Sequence, residues 1–488
     1  MEITNMITES PLIKKIENNS GYSTIELVSI VANKLSEYLL KILKKQDKIL
    51  IICGIGNNGA DGLALAGLLN KDYKTKVYLI ADELKTEAAN HYYSKLDKNM
   101  IIDHISNDYD IIIDCIYGFS FHGSIKAEQR SLFNTINNLD GYKISIDINS
   151  GCEADSAICD SYAIKSDLTL ALAYLKPFHL FQKEHMMFKE LAIIELPLST
   201  NEKSNYFEMD EERFINQYPF IPENGYKGIN GKSFIIAGSY GMAGACGLNI
   251  IGALSAGASY LHCAIDESIY PILANRFLNV VFHPMNQHNF NQIIHDTIYN
   301  VDSILFGSGI NNLNYQNELL ESLLQNSKKT IILDANALRL LKDKLYIIKL
   351  SKPKLILTPH IKEFADMINK PLEIVKQNKI ELTKQFAKEY HCILILKDCV
   401  TIVANGSNEI YVNNQGNNAL AKAGSGDLLA GIVAHMAAIV KDNFEASMMA
   451  VWFYNKICQD ITQDHSKTLF DHELYLTYAD KFFKKYQK

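Results

Sequence analysis

Nowhere in its 488 residues does the chain carry an uninterrupted apolar run of about 18 residues, the length a membrane-crossing helix needs. Its start, Met1-Glu2-Ile3-Thr4-Asn5-Met6, has no basic stretch followed by an apolar one, so no export signal is expected. Cysteines are never paired as C-x-x-C: Cys53, Cys115, Cys152, Cys159, Cys246, Cys263, Cys392, Cys399 and Cys458 sit singly and are odd in number. That excludes a structural zinc site of the paired-cysteine kind and fits a reducing cytoplasm. Lys and Arg, 48 against 55 Asp and Glu, are scattered along the chain, and a net charge of -7 speaks against nucleic acid as the main partner. Low-complexity stretches and duplicated motifs are missing too. The expectation is a soluble cytoplasmic protein with no membrane and no nucleic-acid partner.

What is present is a globular balance, 48% hydrophobic and 21% charged, in a chain too long for one ordinary core. Short runs of Ile, Leu and Val alternate with helical patterns at Lys48–Cys53, Lys76–Ile80, Ile111–Asp114, Lys143–Ile148 and Leu168–Ala173. The alternation stops across Leu198–Glu212. It resumes at Ser233–Ala237, Tyr260–Ile265, Ser303–Phe306, Thr330–Leu333, Leu355–Leu357, Ile393–Leu396 and Thr401–Ala404. Such alternation builds βαβ units on mostly parallel sheets. An α/β fold of two domains, 1–212 and 213–488, is expected.

In the first domain the apolar run Lys48–Cys53 meets Gly54-Ile55-Gly56-Asn57-Asn58-Gly59-Ala60-Asp61-Gly62 and then a helical pattern. This satisfies the dinucleotide fingerprint G-x-G-x-x-G, with Asp82 and Glu83 near the usual acidic position. The fingerprint does not require Asn57, Asn58 and Asp61. Their oxygens and amides suit a cation, or a ribose and an amide ring, although a tight turn with Asp61 as helix cap reads equally well. Asp114 and Asp147 each close an apolar strand, ahead of Cys115–Ser120 and Ile148–Gly151. That is the edge at which open α/β sheets bind ligands, so a polar oxygen cluster is expected there.

In the second domain, Lys422-Ala423-Gly424-Ser425-Gly426-Asp427-Leu428-Leu429-Ala430-Gly431 opens a helix with small residues and one carboxylate. Glycines admit an anion to the main chain, the helix N-terminus attracts it, and Asp427 can take a proton from an attacking hydroxyl. Small or polar groups also follow other strands: Gly238–Ala245 (after Lys227-Gly228-Ile229-Asn230-Gly231-Lys232), Gly307-Ser308-Gly309, Asp334-Ala335-Asn336-Ala337-Leu338, and Leu357-Thr358-Pro359-His360 with Glu363 beyond. Asp334 reads equally as helix cap or site residue. Cys392 and Cys399 read as buried thiols.

Taken in order, these motifs resemble those of the bifunctional NAD(P)H-hydrate repair enzymes. Gly54–Gly62, Asp114–Ser120, Asp147–Gly151 and Leu175-Lys176-Pro177 stand where the epimerase domain of that family has G-x-G-N-N-G-G-D-G, D-x-x-F/Y-G-T-G, D-I-P-S-G and A-x-K-P. The later motifs, ending in Ala423–Gly431, resemble the ADP/ATP-dependent dehydratase domain. Ala60, Phe119-Ser120, Asn149, Tyr226, Ser308, Asn336 and Asp398 depart from the family pattern.

The resemblance implies a Rossmann-like three-layer domain followed by a ribokinase-like three-layer domain. It implies binding of hydrated NADH and NADPH (NADHX and NADPHX) by Asn57, Asn58, Gly59, Ala60, Asp61, Gly118 and Asp147, with potassium on Asn58, Asp114 and Ser150. In the second domain it implies hydrate contacts from Ala245, Gly309, His360 and Asp427. The adenine nucleotide, ADP or ATP with Mg²⁺, falls to Lys397, Asp398, Cys399, Val400, Thr401, Gly424 and Gly426. Asp147 and Asp427 are the catalytic candidates, and a homo-oligomer is expected. The competing readings are a ribokinase-like vitamin or sugar kinase and a non-catalytic dinucleotide-binding sensor.

Overall fold

Strands buried on both faces set the architecture. In β1 (Lys48–Cys53) every residue after Lys48 is buried. Its side chains alternate, with Ile49, Ile51 and Cys53 in one core and Leu50 and Ile52 in another. Such a strand must be covered by helices on both sides, which is why it reads as an unbroken apolar run. The computed structural model describes residues 6–198, 200–226, 228–311, 313–351 and 353–486. Lys227 and the opening Met1–Asn5 lie outside them. Among the described residues no helix is long and apolar enough to cross a membrane.

The chain divides into two compact units, Met1–Tyr206 and Phe207–Lys488. The first contains β1, β2 (Lys74–Leu79), β3 (Ile101–Ile102), β4 (Ile111–Cys115), β5 (Tyr142–Ile146), β6 (Ser166–Leu172) and β7 (Phe188–Ile194). They form a parallel sheet in the order β3-β2-β1-β4-β5-β6-β7. The order reverses direction between β1 and β4, and a crevice opens at such a switch point beyond the strand ends. The second sheet holds β8 (Tyr206–Phe207), β9 (Ser233–Ile236), β10 (Leu261–Asp266), β11 (Val280–Met285), β12 (Ser303–Phe306), β13 (Thr330–Leu333), β14 (Leu355–Leu357), β15 (Ile393–Leu396), β16 (Thr401–Ala404) and β17 (Ile410–Asn413). Its order is β11-β10-β9-β12-β13-β14-β15-β16-β17-β8, parallel from β11 to β15 and antiparallel from β15 to β17, with the switch between β9 and β12.

Residues Phe207–Glu212 go with the second unit. Asp210 caps the helix Glu211–Gln217, which buries Phe214 in that unit's core against Trp452 and Phe453. Strands β3, β7, β8, β11 and β17 were not anticipated in the sequence. Two of them are only two residues long, and β7 carries Lys189 and Glu190 on an edge.

The helices Ala243–Ser255 and Ser425–Ile439 meet at backbone distance. A Cβ on Gly252 would lie 2.1 Å from the Leu428 carbonyl oxygen, and one on Gly431 would lie 2.0 Å from that of Asn249. Leu248 lies against Gly424, Asn249 against Asp427 and Gly252 against Leu428. The partners advance in the same direction, so the two helices run parallel, with Gly424 at the start of the second against the second turn of the first.

Candidate functional sites

The first unit gathers its polar residues at the β1/β4 switch. Gly54 and Gly59 let the loop close tightly: a Cβ on Gly54 would sit 1.9 Å from the Ile116 carbonyl oxygen, and one on Gly59 1.9 Å from that of Gly54. The helix starts at Asn57, earlier than the sequence pattern indicated, and Asp61 is its fifth residue. Asp61 is therefore not a cap. It is buried, and burial together with the charges of Asp147 and Glu17 pushes its carboxyl well above the usual range.

Asp147 has a left-handed backbone, φ 67°, unusual for a residue with a side chain. Its surroundings hold it there. Its N–H donates to the Leu170 carbonyl at 2.8 Å, and its carboxylate accepts from Phe119 N–H at 3.1 Å and from the buried ammonium of Lys176. Lys176 also donates to the Leu172 carbonyl at 2.9 Å. His179 takes the Lys176 N–H on Nδ1 at 3.0 Å, leaving its Nε2 proton for the Asp147 carbonyl at 2.9 Å. Burial and the Lys176 charge push its pKa down to about 4, so the ring stays neutral.

Asp114 and Ser150 are in direct contact. The Ser150 hydroxyl donates to Asp114 Oδ1 at 2.5 Å, and Oδ2 accepts from Ser150 N–H and Ser145 Oγ, both at 3.0 Å. Burial still holds the Asp114 carboxyl above its ordinary value. Tyr117 N–H donates to Ser150 Oγ at 2.8 Å, and the next residue, Gly118, is flanked by Asn58 and Asp147. A Cβ on Gly118 would lie 3.3 Å from Asn58 Cβ and 3.4 Å from Asp147 Oδ2. Both polar atoms of the Asn58 side chain are buried without a hydrogen-bond partner among the described residues. A buried unpartnered amide is costly unless a ligand satisfies it. Its oxygen, like those of Asp114 and Ser150, is of the hard kind that could hold a cation.

In the second unit Asp427 lies in the first turn of Ser425–Ile439, behind Gly424 at φ 89°. The neighbouring helix starts uncovered, since a Cβ on Gly244 would meet nothing within 4 Å. The N-terminus of Ser425–Ile439, with Gly424 ahead of it, leaves backbone N–H groups and a partial positive charge beside Asp427. Asn249 donates to the Asp427 carbonyl at 2.6 Å and to Ser308 Oγ at 3.2 Å. Ser308 donates to Asp334 Oδ2 at 3.2 Å, while Thr358 and Lys397 each donate to Oδ1 at 2.7 Å. Asp334 is therefore not a cap; its carboxylate is held by Ser308, Thr358 and Lys397. Burial, and next the Asp334 charge, push the Asp427 carboxyl up to about 7. Burial opposes the Lys397 charge, yet Asp334 and Glu363 outweigh it and hold its pKa above the ordinary value.

The expected residues converge unevenly. Ala245 touches Gly309, where an added Cβ would lie 2.9 Å away, and a Cβ on Gly426 would lie 3.2 Å from Lys397 Nζ. His360 bridges to Lys397 in the sheet and caps the helix Ile361–Met367 with Glu363, half exposed. Asp398, Cys399 and Val400 make the turn into β16, with Asp398 paired to Lys379 and the Thr401 hydroxyl donating to the Asp398 carbonyl at 3.2 Å. Cys392 is buried, but Cys399 is exposed. Gly416 lies against its carbonyl, where a Cβ would come within 2.1 Å, and the expectation of a buried thiol is corrected there. Asp82 and Glu83 are exposed beyond β2.

Sequence reasoning assigned no role to Lys176, His179, Glu17, Asn249 or Ser308. Lys176 carried a signal: a lysine inside the apolar run Tyr174-Leu175-Lys176-Pro177-Phe178 is seldom buried without a partner. Glu17 sits in the helix Ser10–Asn18, and burial and then the Asp147 charge push its carboxyl up to about 7.

Comparison with known proteins accounts for both units. A family described as NAD(P)H-hydrate dehydratase matches residues 233–478, and one described as YjeF-related protein N-terminus matches residues 24–178. Relatives named bifunctional NAD(P)H-hydrate repair enzyme Nnr include that of Dictyoglomus turgidum, 29% identical over 454 residues, covering 88% of this chain and 87% of the relative. That of Moorella thermoacetica is 27% identical over 416 residues, covering 80% and 78%. Among solved structures, the ADP/ATP-dependent NAD(P)H-hydrate dehydratase of Bacillus subtilis, co-crystallised with ATP/Mg²⁺, aligns with TM-score 0.51 and 24% identity over 57% of this chain and 98% of its own. A ribokinase-like superfamily protein of Enterococcus faecalis aligns with TM-score 0.51 and 21% identity over 58% and 99%.

Proposed function

The chain belongs to the NAD(P)H-hydrate dehydratase family, and from that premise we propose how its two units share the repair of hydrated nicotinamide nucleotides. The first unit interconverts the R and S epimers of NAD(P)HX, as an isomerase. The second dehydrates the S form to NAD(P)H at the expense of ADP or ATP, as a carbon–oxygen lyase. The observation that carries the second assignment is Asp427: a carboxyl held at about 7 in the first turn of a helix that opens behind Gly424 and packs parallel on Ala243–Ser255.

The hydrate's hydroxyl is a poor leaving group until it is phosphorylated. Asp427 accepts the hydroxyl proton as the oxygen takes the phosphoryl group. The N–H groups at Gly424–Gly426 and the Lys397 ammonium stabilise the charge on the transferring group. Phosphate then leaves, the ring loses a proton, and the double bond is restored. Ala245, Gly309 and His360 line the hydrate's side of this site, and Lys397–Thr401 with Gly424 and Gly426 the nucleotide's. Mg²⁺ carried in with the nucleotide would neutralise phosphate charge.

In the first unit Asp147, fixed by Lys176 and His179, faces the reacting ring beside Asn57–Asp61 and Gly118. Asn58, Asp114 and Ser150 would hold potassium, which would supply fixed positive charge beside the ligand. The same reading places a homo-oligomer in the cytoplasm; a light-scattering mass equal to one chain, or the chain recovered from an exported fraction, overturns that part.

The test is recovery of reduced-cofactor absorbance from a mixture of both epimers with Mg²⁺, K⁺ and either ADP or ATP. Full conversion supports both activities and identifies the donor. Conversion stopping at one epimer removes the epimerase assignment. No recovery with either nucleotide, alongside retained hydrate binding, turns the assignment to a sensor.

A further inference from the structure

The segment after Ser150 closes on itself through two hydrogen bonds. Glu153 N–H donates to the Ile158 carbonyl at 2.8 Å, and Asp160 N–H to the Gly151 carbonyl at 2.9 Å. Between them Cys152 and Cys159 face each other across an antiparallel bridge. Bonds that flank a facing pair without passing through it define the narrow, non-hydrogen-bonded position of an antiparallel ladder, where Cα atoms lie about 4.5 Å apart. A disulfide spans Cα separations of roughly 4.4–6.8 Å, so closing one here needs no movement of the main chain. Both residues are thiols; Cys152 is buried and Cys159 is partly exposed.

We propose that Cys152 and Cys159 form a reversible disulfide site whose reaction partners are low-molecular-weight disulfides. The Cys159 thiolate, its proton lost to solvent, attacks one sulfur of the reagent. The reagent's S–S bond breaks and one thiolate leaves. Cys152 then loses its proton and attacks the Cys159 sulfur of the mixed disulfide, releasing the second thiolate. Two protein thiols are oxidised to one disulfide, and one reagent disulfide is reduced to two thiols.

The position gives the cross-link a consequence. Asp155 Oδ1 accepts from Ser10 N–H at 2.8 Å and from Ser10 Oγ at 2.9 Å, tying in the N-terminal helix. The Ala154 carbonyl accepts from Phe178 N–H at 2.9 Å, next to the turn that carries Lys176. Glu153 accepts from Gly123 N–H at 2.7 Å, and Asp160 from Ile125 N–H at 3.1 Å, on the segment that follows Gly118. One short loop thus fastens three edges of the first unit's site, and the disulfide crosses the neck of that loop. The cross-link staples this frame without reshaping it. Cys53 and Cys115, partners on adjacent strands, and Cys246 and Cys263 are wholly buried and serve as internal controls.

The experiment treats the full chain with oxidised glutathione at mildly alkaline pH, then alkylates, denatures and digests with trypsin. The peptide from Ile144 to Lys165 contains Cys152 and Cys159 and no other cysteine. It is expected to lose two hydrogens and to resist alkylation until dithiothreitol is added, while the four control cysteines alkylate fully after denaturation. Cys152→Ser should trap glutathione on Cys159, and Cys159→Ser should leave Cys152 unmodified. Hydrogen exchange at residues 151–160 should slow in the oxidised protein and recover on reduction. Glutathione remaining on Cys159 of the unsubstituted chain, two free thiols after treatment, or exchange indifferent to oxidation would each overturn the proposal.

Discussion

The two units hold a carboxylate at a parallel-sheet switch point by opposite means. In the first, Asp147 is neutralised by a buried side-chain ammonium, Lys176, and fixed in a left-handed conformation by its neighbours. In the second, Asp427 has no ion-pair partner among the described residues. It rests on the first turn of a helix while Lys397 is committed to Asp334. A salt-bridged carboxylate is an anchor whose charge is already spent. One left with a pKa near neutrality can gain and lose a proton during turnover. On the proposed function, the contrast would give binding and orientation mainly to Asp147 and proton transfer mainly to Asp427.

The most severe test of that contrast is Asp427→Asn, which should lower dehydration by about 10²–10⁴-fold, the usual share of a general base. Epimer exchange, followed by chromatography, should persist. A matching loss of exchange would break the comparison. Asp147→Ala should act in the other direction and through folding as well. It strands the Lys176 ammonium in the interior, at a cost of about 3–5 kcal/mol, and abolishes exchange while dehydration of the S epimer continues. Adding Lys176→Met should recover part of the stability in thermal melts but none of the exchange.

Gly431→Ala introduces a Cβ 2.0 Å from a carbonyl oxygen and must part the two helices. A destabilisation of about 1–3 kcal/mol is expected, with dehydration weakened well beyond that seen for a surface alanine. The smallest effect is in pH. Asp427 works as the carboxylate and has been pushed up to about 7, so dehydration should fall about tenfold for each pH unit below that value and level off above it. The profile should flatten if Asp334→Asn, which removes a repelling charge, lowers the Asp427 pKa.

Elements whose signal is local were legible in the sequence. Lys48–Cys53 runs into a glycine loop and a helix as its pattern required, and the strand carrying Asp114 and those leading into Asp147, Gly307 and Asp334 were placed to within a residue or two. Pairings between distant residues were not. Nothing near Asp147 in sequence points to Lys176, 29 positions on, and nothing near Gly431 explains why its neighbour Asn249 leaves no room for a side chain. Burial of a short turn is set by what lies across from it, which is how Cys399 came to be exposed. Asp61 shows a third limit: a carboxylate in the opening turns of a helix looks like a cap, and only the start at Asn57 puts it one turn inside.

The parallel arrangement of the helices Ala243–Ser255 and Ser425–Ile439 has a bearing on how the second site can be regulated. On the proposed function, much of its attraction for phosphate would come from peptide groups and not from side chains. Such a field has no proton to lose and no amine to acylate. Acetylation, carbamylation or a shift in cellular pH can reach Lys397 or Asp427, but the anion cradle beneath them keeps its charge for as long as the two helices stay folded against each other.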